Sequence, residues 1–171
     1  MMRYPIGCSG QDLVFTQDVV AHIERHRQLR FWQAEAGGSL FARFSDREVI
    51  IEVATGPRKT DCRTRFTYHP DRKAEQREID EMHPKGLLFV GTWHSHPEPV
   101  PTPSTIDLHS LAESFLMSRH HLNAFVLAII GQRQAPQGLQ VVLGDGQNVI
   151  PLRPANTSGA AAISKLERDI V

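Results

Sequence analysis

A strand that runs into a proline-rich loop and then a helix is the feature that most restricts how this chain can fold. Residues 86–94, "GLLFVGTWH", form an apolar run that is typical of a buried strand. The loop "SHPEPVPTP" (95–103) has a proline at every second position from 97 to 103, and Ser104 opens a helical stretch that extends to about residue 121. Because proline ends strand pairing and fixes φ, we expect the strand end and the helix start to be joined by a stiff connection.

The remaining segments predict an α/β or α+β layered fold, with one mixed β-sheet flanked by helices in a single domain. Further helices are expected at 15–32 and 71–83. Further strands are expected at 39–44, 48–55, 66–70, 123–131, 139–143 and 148–152. The basic segment 57–65 is expected to be a solvated loop at the surface. The domain is assigned to residues 1–152, and residues 153–171 are expected to be a loosely held tail.

Composition argues against several classes of partner. The chain has 171 residues, and its 19 basic and 19 acidic residues cancel, so no global field attracts nucleic acid or an anionic membrane. The longest strongly apolar run, "AFVLAII" (124–130), is too short to span a bilayer. Cys8 and Cys62 are far apart and form no C-x-x-C pair, which is typical of a reducing compartment. With no apolar signal segment at the N-terminus, we expect a cytoplasmic protein.

Two histidines and an aspartate around the proline-rich loop are candidate metal ligands. His94 and His96 are two residues apart, so on a strand their side chains project from the same face. Asp107 follows Ser104 by three residues, the spacing of a helix N-cap and its capping partner. Each pattern alone is commonplace, as solvated histidines or an ordinary capping box. Joined by a short stiff loop, they supply two nitrogens and one carboxylate oxygen, which leaves the fourth tetrahedral position of a zinc ion to water, as in catalytic sites.

A hydrolytic zinc site also needs a base close to the water but not bound to the metal. The candidate is Glu35, in "QAEAGGSLFA" between the first predicted helix and a Gly-Gly strand entry. The alternative is a solvated residue at a helix C-terminus. An acid is unfavourable beside the negative end of a helix dipole, which favours the functional interpretation.

These residues together resemble the JAMM motif of the MPN domain metallopeptidases. "HSHP" is followed by six residues, Ser104, two residues and Asp107, with Glu35 upstream in "EAGGSL". The resemblance covers about residues 12–152. It implies an MPN-like fold in which His94, His96 and Asp107 ligate zinc and Glu35 transfers the proton. It also implies that Ser104 hydrogen-bonds the developing oxyanion or the water.

The resemblance also implies a class of reaction. Active members of the family mostly cut isopeptide or peptide bonds after the C-terminus of ubiquitin or a ubiquitin-like protein. This short chain looks like stand-alone bacterial JAMM proteins of integrative and conjugative elements, which are similar to the deconjugating peptidases of CBASS antiphage operons. The expected partner is therefore a protein conjugated through its C-terminus, either ubiquitin-like or a signalling nucleotidyltransferase. The alternatives are a zinc hydrolase that processes a sulfur-carrier adduct or another amide, and a non-catalytic MPN scaffold, which the five intact positions disfavour.

Overall fold

The computed structural model describes residues 1–155, which form one large sheet, a small hairpin and three α-helices. The helices are α1 (Gln17–Glu24), α2 (Arg72–Met82) and α3 (Thr105–Met117), and a 3₁₀ turn, His83–Lys85, follows α2. The strands are β1 (Met2–Pro5), β2 (Asp12–Phe15), β3 (Gly37–Phe44), β4 (Glu48–Ala54), β5 (Cys62–Arg63), β6 (Tyr68–His69), β7 (Leu88–Ser95), β8 (Phe125–Ile130), β9 (Leu139–Gly144) and β10 (Val149–Leu152).

The large sheet is mixed and has the strand order β1-β2-β4-β3-β7-β8-β9-β10. The pairs β2–β4 and β7–β8 are parallel, and the other neighbours are antiparallel. Helix α1 buries Val19, Val20 and Ile23 against one face. Helices α2 and α3 lie on the other face, where Leu111 packs among the side chains of β8 and β9. This arrangement confirms the predicted single-domain fold, a mixed sheet between layers of helices.

The predicted helix over 15–32 is too long at its C-terminal end, whereas its start agrees with Thr16, the expected N-cap. Phe15 belongs to β2, Thr16 is the N-cap, and α1 ends at Glu24. Beyond that point the chain turns, and the Arg27 side chain donates to the carbonyl of Glu24. The apolar residues of the second half, Phe31 and Trp32 among them, are exposed, so no buried face supports a longer helix.

The segment 57–65 is only partly the solvated loop that its basic composition suggests, because Lys59, Thr60 and residues 62–64 are exposed whereas Arg58 and Asp61 are not. The side chains of Arg58 and Asp61 are 8% and 0% exposed, and Arg58 forms a salt bridge with Glu78 of α2. Arg58 also donates to Ser39 on β3 and to the Tyr68 hydroxyl on β6. This buried network ties the hairpin of β5 and β6 to the large sheet and to α2, whereas Cys62 and Arg63 remain exposed.

Most of the predicted tail lies outside the described residues, which end at 155. Within them, the backbone N–H of Ala155 donates to the carbonyl of Arg3. No helix in residues 1–155 is long and apolar enough to cross a membrane.

Candidate active site and metal centre

Strand β7 places His94 and His96 on the face of the sheet that α3 covers. The backbone N–H of Ser95 donates to Ala36 and that of His96 to Ile130, so the chain stays paired on both sides beyond the strand end. The two imidazole rings point the same way, with 3.1 Å between their Nε2 atoms. Trp93 precedes His94 and, as strand alternation predicts, faces the opposite side of the sheet, where it is fully buried against His22 of α1.

The proline-rich loop is held against the end of β8. The backbone N–H groups of Gln132 and Arg133 donate to the carbonyls of Glu98 and Pro99. Gly131 lets this loop approach closely, since a Cβ at that position would lie 2.5 Å from the Glu98 carbonyl oxygen. The loop therefore returns the chain from the strand end to the start of α3 along a fixed path.

Asp107 serves the helix and the histidines at once. Ser104 caps α3 by accepting the N–H of Asp107, and the Asp107 Oδ2 accepts the N–H of Ser104 at 2.6 Å, a complete capping box. The same carboxylate lies 3.2 Å from His94 Nε2 through Oδ1 and 3.4 Å from His96 Nε2 through Oδ2. The cap thereby fixes the orientation of the carboxylate toward the two rings.

The three groups together fit a metal ion. One ligand atom from each of His94, His96 and Asp107 lies within 4.8 Å of the others. Burial alone would raise the pKa of Asp107, but hydrogen bonds from the two histidines outweigh it and hold that pKa well below its usual value. Burial likewise opposes the charge on His96, yet the Asp107 carboxylate raises its pKa overall. A carboxylate that stays ionised beside two imidazoles suits a borderline cation such as zinc.

Glu35 lines the same cavity as the two histidines and Asp107, although it is neither solvated nor at the end of a helix. It is 5% exposed, in the extended segment between α1 and β3. Its N–H donates to Thr64 and its carbonyl accepts from Arg63, both of the β5–β6 hairpin. Desolvation by this burial raises the pKa of the Glu35 carboxyl to about 7, in the range that suits a general base near neutral pH.

Gln28 and Ser95 form a buried link beneath the site that sequence reasoning missed. The Gln28 side chain is 1% exposed; its amide NH2 donates to the carbonyls of Gln33 and Arg65, and its oxygen accepts from the Ser95 hydroxyl. Ser95 Oγ in turn accepts the N–H of Ala36 at 2.9 Å. One amide thus joins the segment that carries Glu35, the β5–β6 hairpin and the strand of the histidines. The only sequence signal is a serine between the two histidines.

These residues line one cavity of about 580 Å³ between the β5–β6 hairpin and the start of α3. Its floor includes Glu35, His94 and His96, and Ser104 and Asp107 lie on the α3 side. Phe66 and Ile106, each 69% exposed, line it as well. All five residues that the sequence singled out therefore face a common space that is open to a substrate.

The chain is similar to one protein family, to relatives of known name and to a solved structure. The family model for prokaryotic homologs of the JAB domain matches residues 16–142. A CD-NTase/cGAS isopeptidase of Escherichia coli (strain TW11681) is 24% identical over 124 residues, 71% of this chain and 77% of that protein. A probable metalloprotease of Sinorhizobium fredii is 36% identical over 73 residues, 40% of this chain and 44% of that protein. A solution structure of a Desulfitobacterium hafniense protein has a TM-score of 0.58 at 20% identity, and covers 81% of this chain and 88% of its own.

Proposed function

Because the chain belongs to the family of prokaryotic homologs of the JAB domain, we propose that it is a zinc-dependent isopeptidase. Its substrate would be the amide between the C-terminal residue of one protein and an amine of a second protein. The observation that carries this proposal is the convergence of His94, His96 and Asp107 with the buried Glu35 in one open cavity.

The name of the Escherichia coli relative supports a narrower substrate, a CD-NTase released from the proteins to which its C-terminus has been ligated. We therefore propose a deconjugating role in bacterial antiphage defence, in the cytoplasm. A ubiquitin-like protein would present the same chemistry, an extended C-terminal tail that ends in the scissile carbonyl.

His94, His96 and Asp107 would hold the zinc ion. Zinc at such a site acts as a Lewis acid, which polarises the scissile carbonyl and acidifies the attacking water. The Glu35 carboxylate would take a proton from that water and deliver it to the leaving amine nitrogen. Because Ser104 Oγ accepts from the backbone of its helix, its own O–H remains a donor for the oxyanion that develops at the carbonyl.

The substrate tail would lie in the cavity as an extended strand. Residues 65–70, which include β6, line it on one side. Backbone pairing with this small sheet would orient the tail while side-chain contacts select it. Binding energy from the tail would then position the carbonyl beside His94, His96 and Asp107, the residues that would hold the metal, so very short peptides should be cut slowly.

Metal content tests the ligands. The protein should bind about one zinc ion per chain. The double variant His94→Ala/His96→Ala should lose it and retain the circular dichroism spectrum of the fold. Stoichiometric zinc in the folded double variant would exclude this site.

Cleavage tests the reaction. A bacterial CD-NTase is fused through its C-terminus to a reporter and incubated with zinc-loaded enzyme. Cleavage at the native C-terminal residue is expected, and Glu35→Gln should reduce it by about 10²-fold or more while retaining zinc. An intact fusion, with hydrolysis of small amides alone, would reject the deconjugase and leave a different zinc hydrolase.

A further inference from the structure

A cluster of exposed aromatic and arginine side chains lies beside the active-site cavity and takes no part in the chemistry described above. Phe31, Trp32 and Phe66 are 75%, 63% and 69% exposed. Together with Arg30 and Arg65 they are called the aromatic patch. Exposed large apolar groups are ordinary when scattered, but a contiguous group marks an interaction surface.

The members of the patch are held to one another. The rings of Phe31 and Trp32 pack edge to face at 5.0 Å, and Arg30 lies over the Trp32 ring. Arg65 lies over the Phe66 ring and also donates to the carbonyl of Phe31, which joins the two chain segments. The segment of Phe31 and the hairpin are further tied by Gln28, which donates to Gln33 and Arg65. The patch is therefore a preorganised surface with little entropy to lose on binding.

The patch is continuous with the catalytic cavity, because Arg65 and Phe66 line both. A protein whose C-terminal tail occupies the cavity must place its folded body at one end of it. The patch provides a rigid surface of aromatic and arginine side chains beside the cavity. These residue types are enriched at protein interfaces.

The charge of the patch indicates what it binds. Its members include two arginines, Arg30 and Arg65, and no acidic residue, although the whole chain has no net charge. Such a surface is complementary to an acidic one. It is unsuited to a two-fold contact with a second copy, which would bring the same arginines together.

We propose that the aromatic patch is the docking surface for the folded body of the protein whose C-terminus is cleaved, and that this body presents an acidic surface with apolar groups. The proposal rests on the proposed function and deepens it. Arg65 and Phe66 of the patch also belong to residues 65–70, the side of the cavity along which the tail is proposed to pair, so the body attached to that tail lies nearest to this surface.

The test measures binding and cleavage separately. The probe is a bacterial CD-NTase with a free C-terminus, titrated by calorimetry against the Glu35→Gln protein and against the same protein with Phe31→Ala/Trp32→Ala or Arg30→Glu. The aromatic double variant should weaken binding about tenfold or more, as for central interface aromatics. Arg30→Glu should weaken it several-fold and reduce its salt dependence. Met117→Ala and Arg119→Glu, exposed positions at the far end of α3, serve as matched controls and should change neither.

Cleavage by enzymes that retain Glu35 locates the effect. Phe31→Ala/Trp32→Ala should raise KM about tenfold for a full-length CD-NTase–reporter fusion and leave kcat/KM unchanged for a fusion of only its last ten or so residues. Equal loss on both substrates, or no loss on either, would overturn the docking surface. So would undetectable binding of the intact CD-NTase.

Two other occupants are distinguished by the same variants. A wild-type dimer in analytical ultracentrifugation that the aromatic variant abolishes, or single-stranded oligonucleotide binding lost in that variant with CD-NTase binding unchanged, would each reject the proposal. Binding of the CD-NTase through the patch without any cleavage of the fusion would instead reject the proposed reaction and keep the docking surface.

Discussion

The buried Glu35 carboxylate lowers the stability of the fold in the same pH range in which the proposed reaction needs it charged. Desolvation raises its pKa to about 7, from an ordinary value of 4.5 in the unfolded chain. Because the folded state holds this proton more tightly, stability is full below about 4.5 and is lost as pH rises through about 7. The cost remains at all higher pH, where the unfolded chain ionises the group freely.

Glu35→Gln should therefore stabilise the metal-free protein while it inactivates the enzyme. With a chelator present, the variant should melt at a higher temperature than wild type at pH 8, and the difference should shrink as pH falls and disappear near pH 4. Differential scanning calorimetry across this range measures it. Glu81→Gln, at an exposed position on α2, is the control and should show no such trend. If the difference in melting temperature between Glu35→Gln and wild type did not depend on pH, burial would not be raising the pKa of Glu35.

Removal of the Gln28 side-chain amide should lower the free energy of unfolding by more than the size of this group suggests. Gln28→Met keeps the shape of the side chain but leaves the partly buried carbonyls of Gln33 and Arg65 without their donor. An unsatisfied buried polar group costs about 1–3 kcal/mol, so we expect the free energy of unfolding to fall by about 2 kcal/mol or more. Urea denaturation measures this, with the exposed Gln147→Met as a control that should change little. Equal effects of the two variants would contradict the role of Gln28.

At the level of elements, local sequence signals predicted where each helix begins, because each starts at a residue whose side chain caps it. Asp71 and Ser104 begin α2 and α3 as N-caps, and both helices were expected close to their observed positions. The failure at residues 25–32 is of another kind, because there Gln28 turns inward to make tertiary hydrogen bonds. Composition misled at 57–65 for the same reason, since the partner that buries Arg58 lies on α2.

The hairpin that lines the cavity should depend on that buried arginine. Arg58→Met leaves the carboxylates of Asp61 and Glu78 without their cation, and breaking a buried ion pair costs about 3–5 kcal/mol. Arg43→Met removes an exposed pair with Glu52, at 3.0 Å, and should cost less than about 1 kcal/mol. Chemical denaturation compares the two variants directly. Similar losses for both would show that the Arg58 network does not anchor the hairpin.

At the scale of the whole molecule, the site joins chain segments that only the sheet brings together. His94 and Asp107 are close in sequence, so the strand pattern locates the one and the helix N-cap pattern locates the other. The position of Glu35 depends instead on the register of β3 against β7, in which Gly37 pairs with His94. Continuing that antiparallel pairing sets Ala36 opposite Ser95 and Glu35 opposite His96. No pattern in a single sequence gives this register, and it determines where the candidate base lies.

The chain is hydrogen-bonded on both sides at Ser95 and His96, which divides the proposed metal site into two halves of unequal local stability. The amides of these residues donate within the sheet, to Ala36 and Ile130, whereas α3 begins at the surface and its first turn reaches the histidines only through Asp107. In hydrogen–deuterium exchange, addition of a chelator to the zinc-loaded protein should leave both strand amides among the slowest and should accelerate the first turn of α3. Uniform acceleration of both segments would contradict this. The strand would thus keep His94 and His96 in place when the metal is removed, and the proposed site would lose its third ligand, Asp107, first.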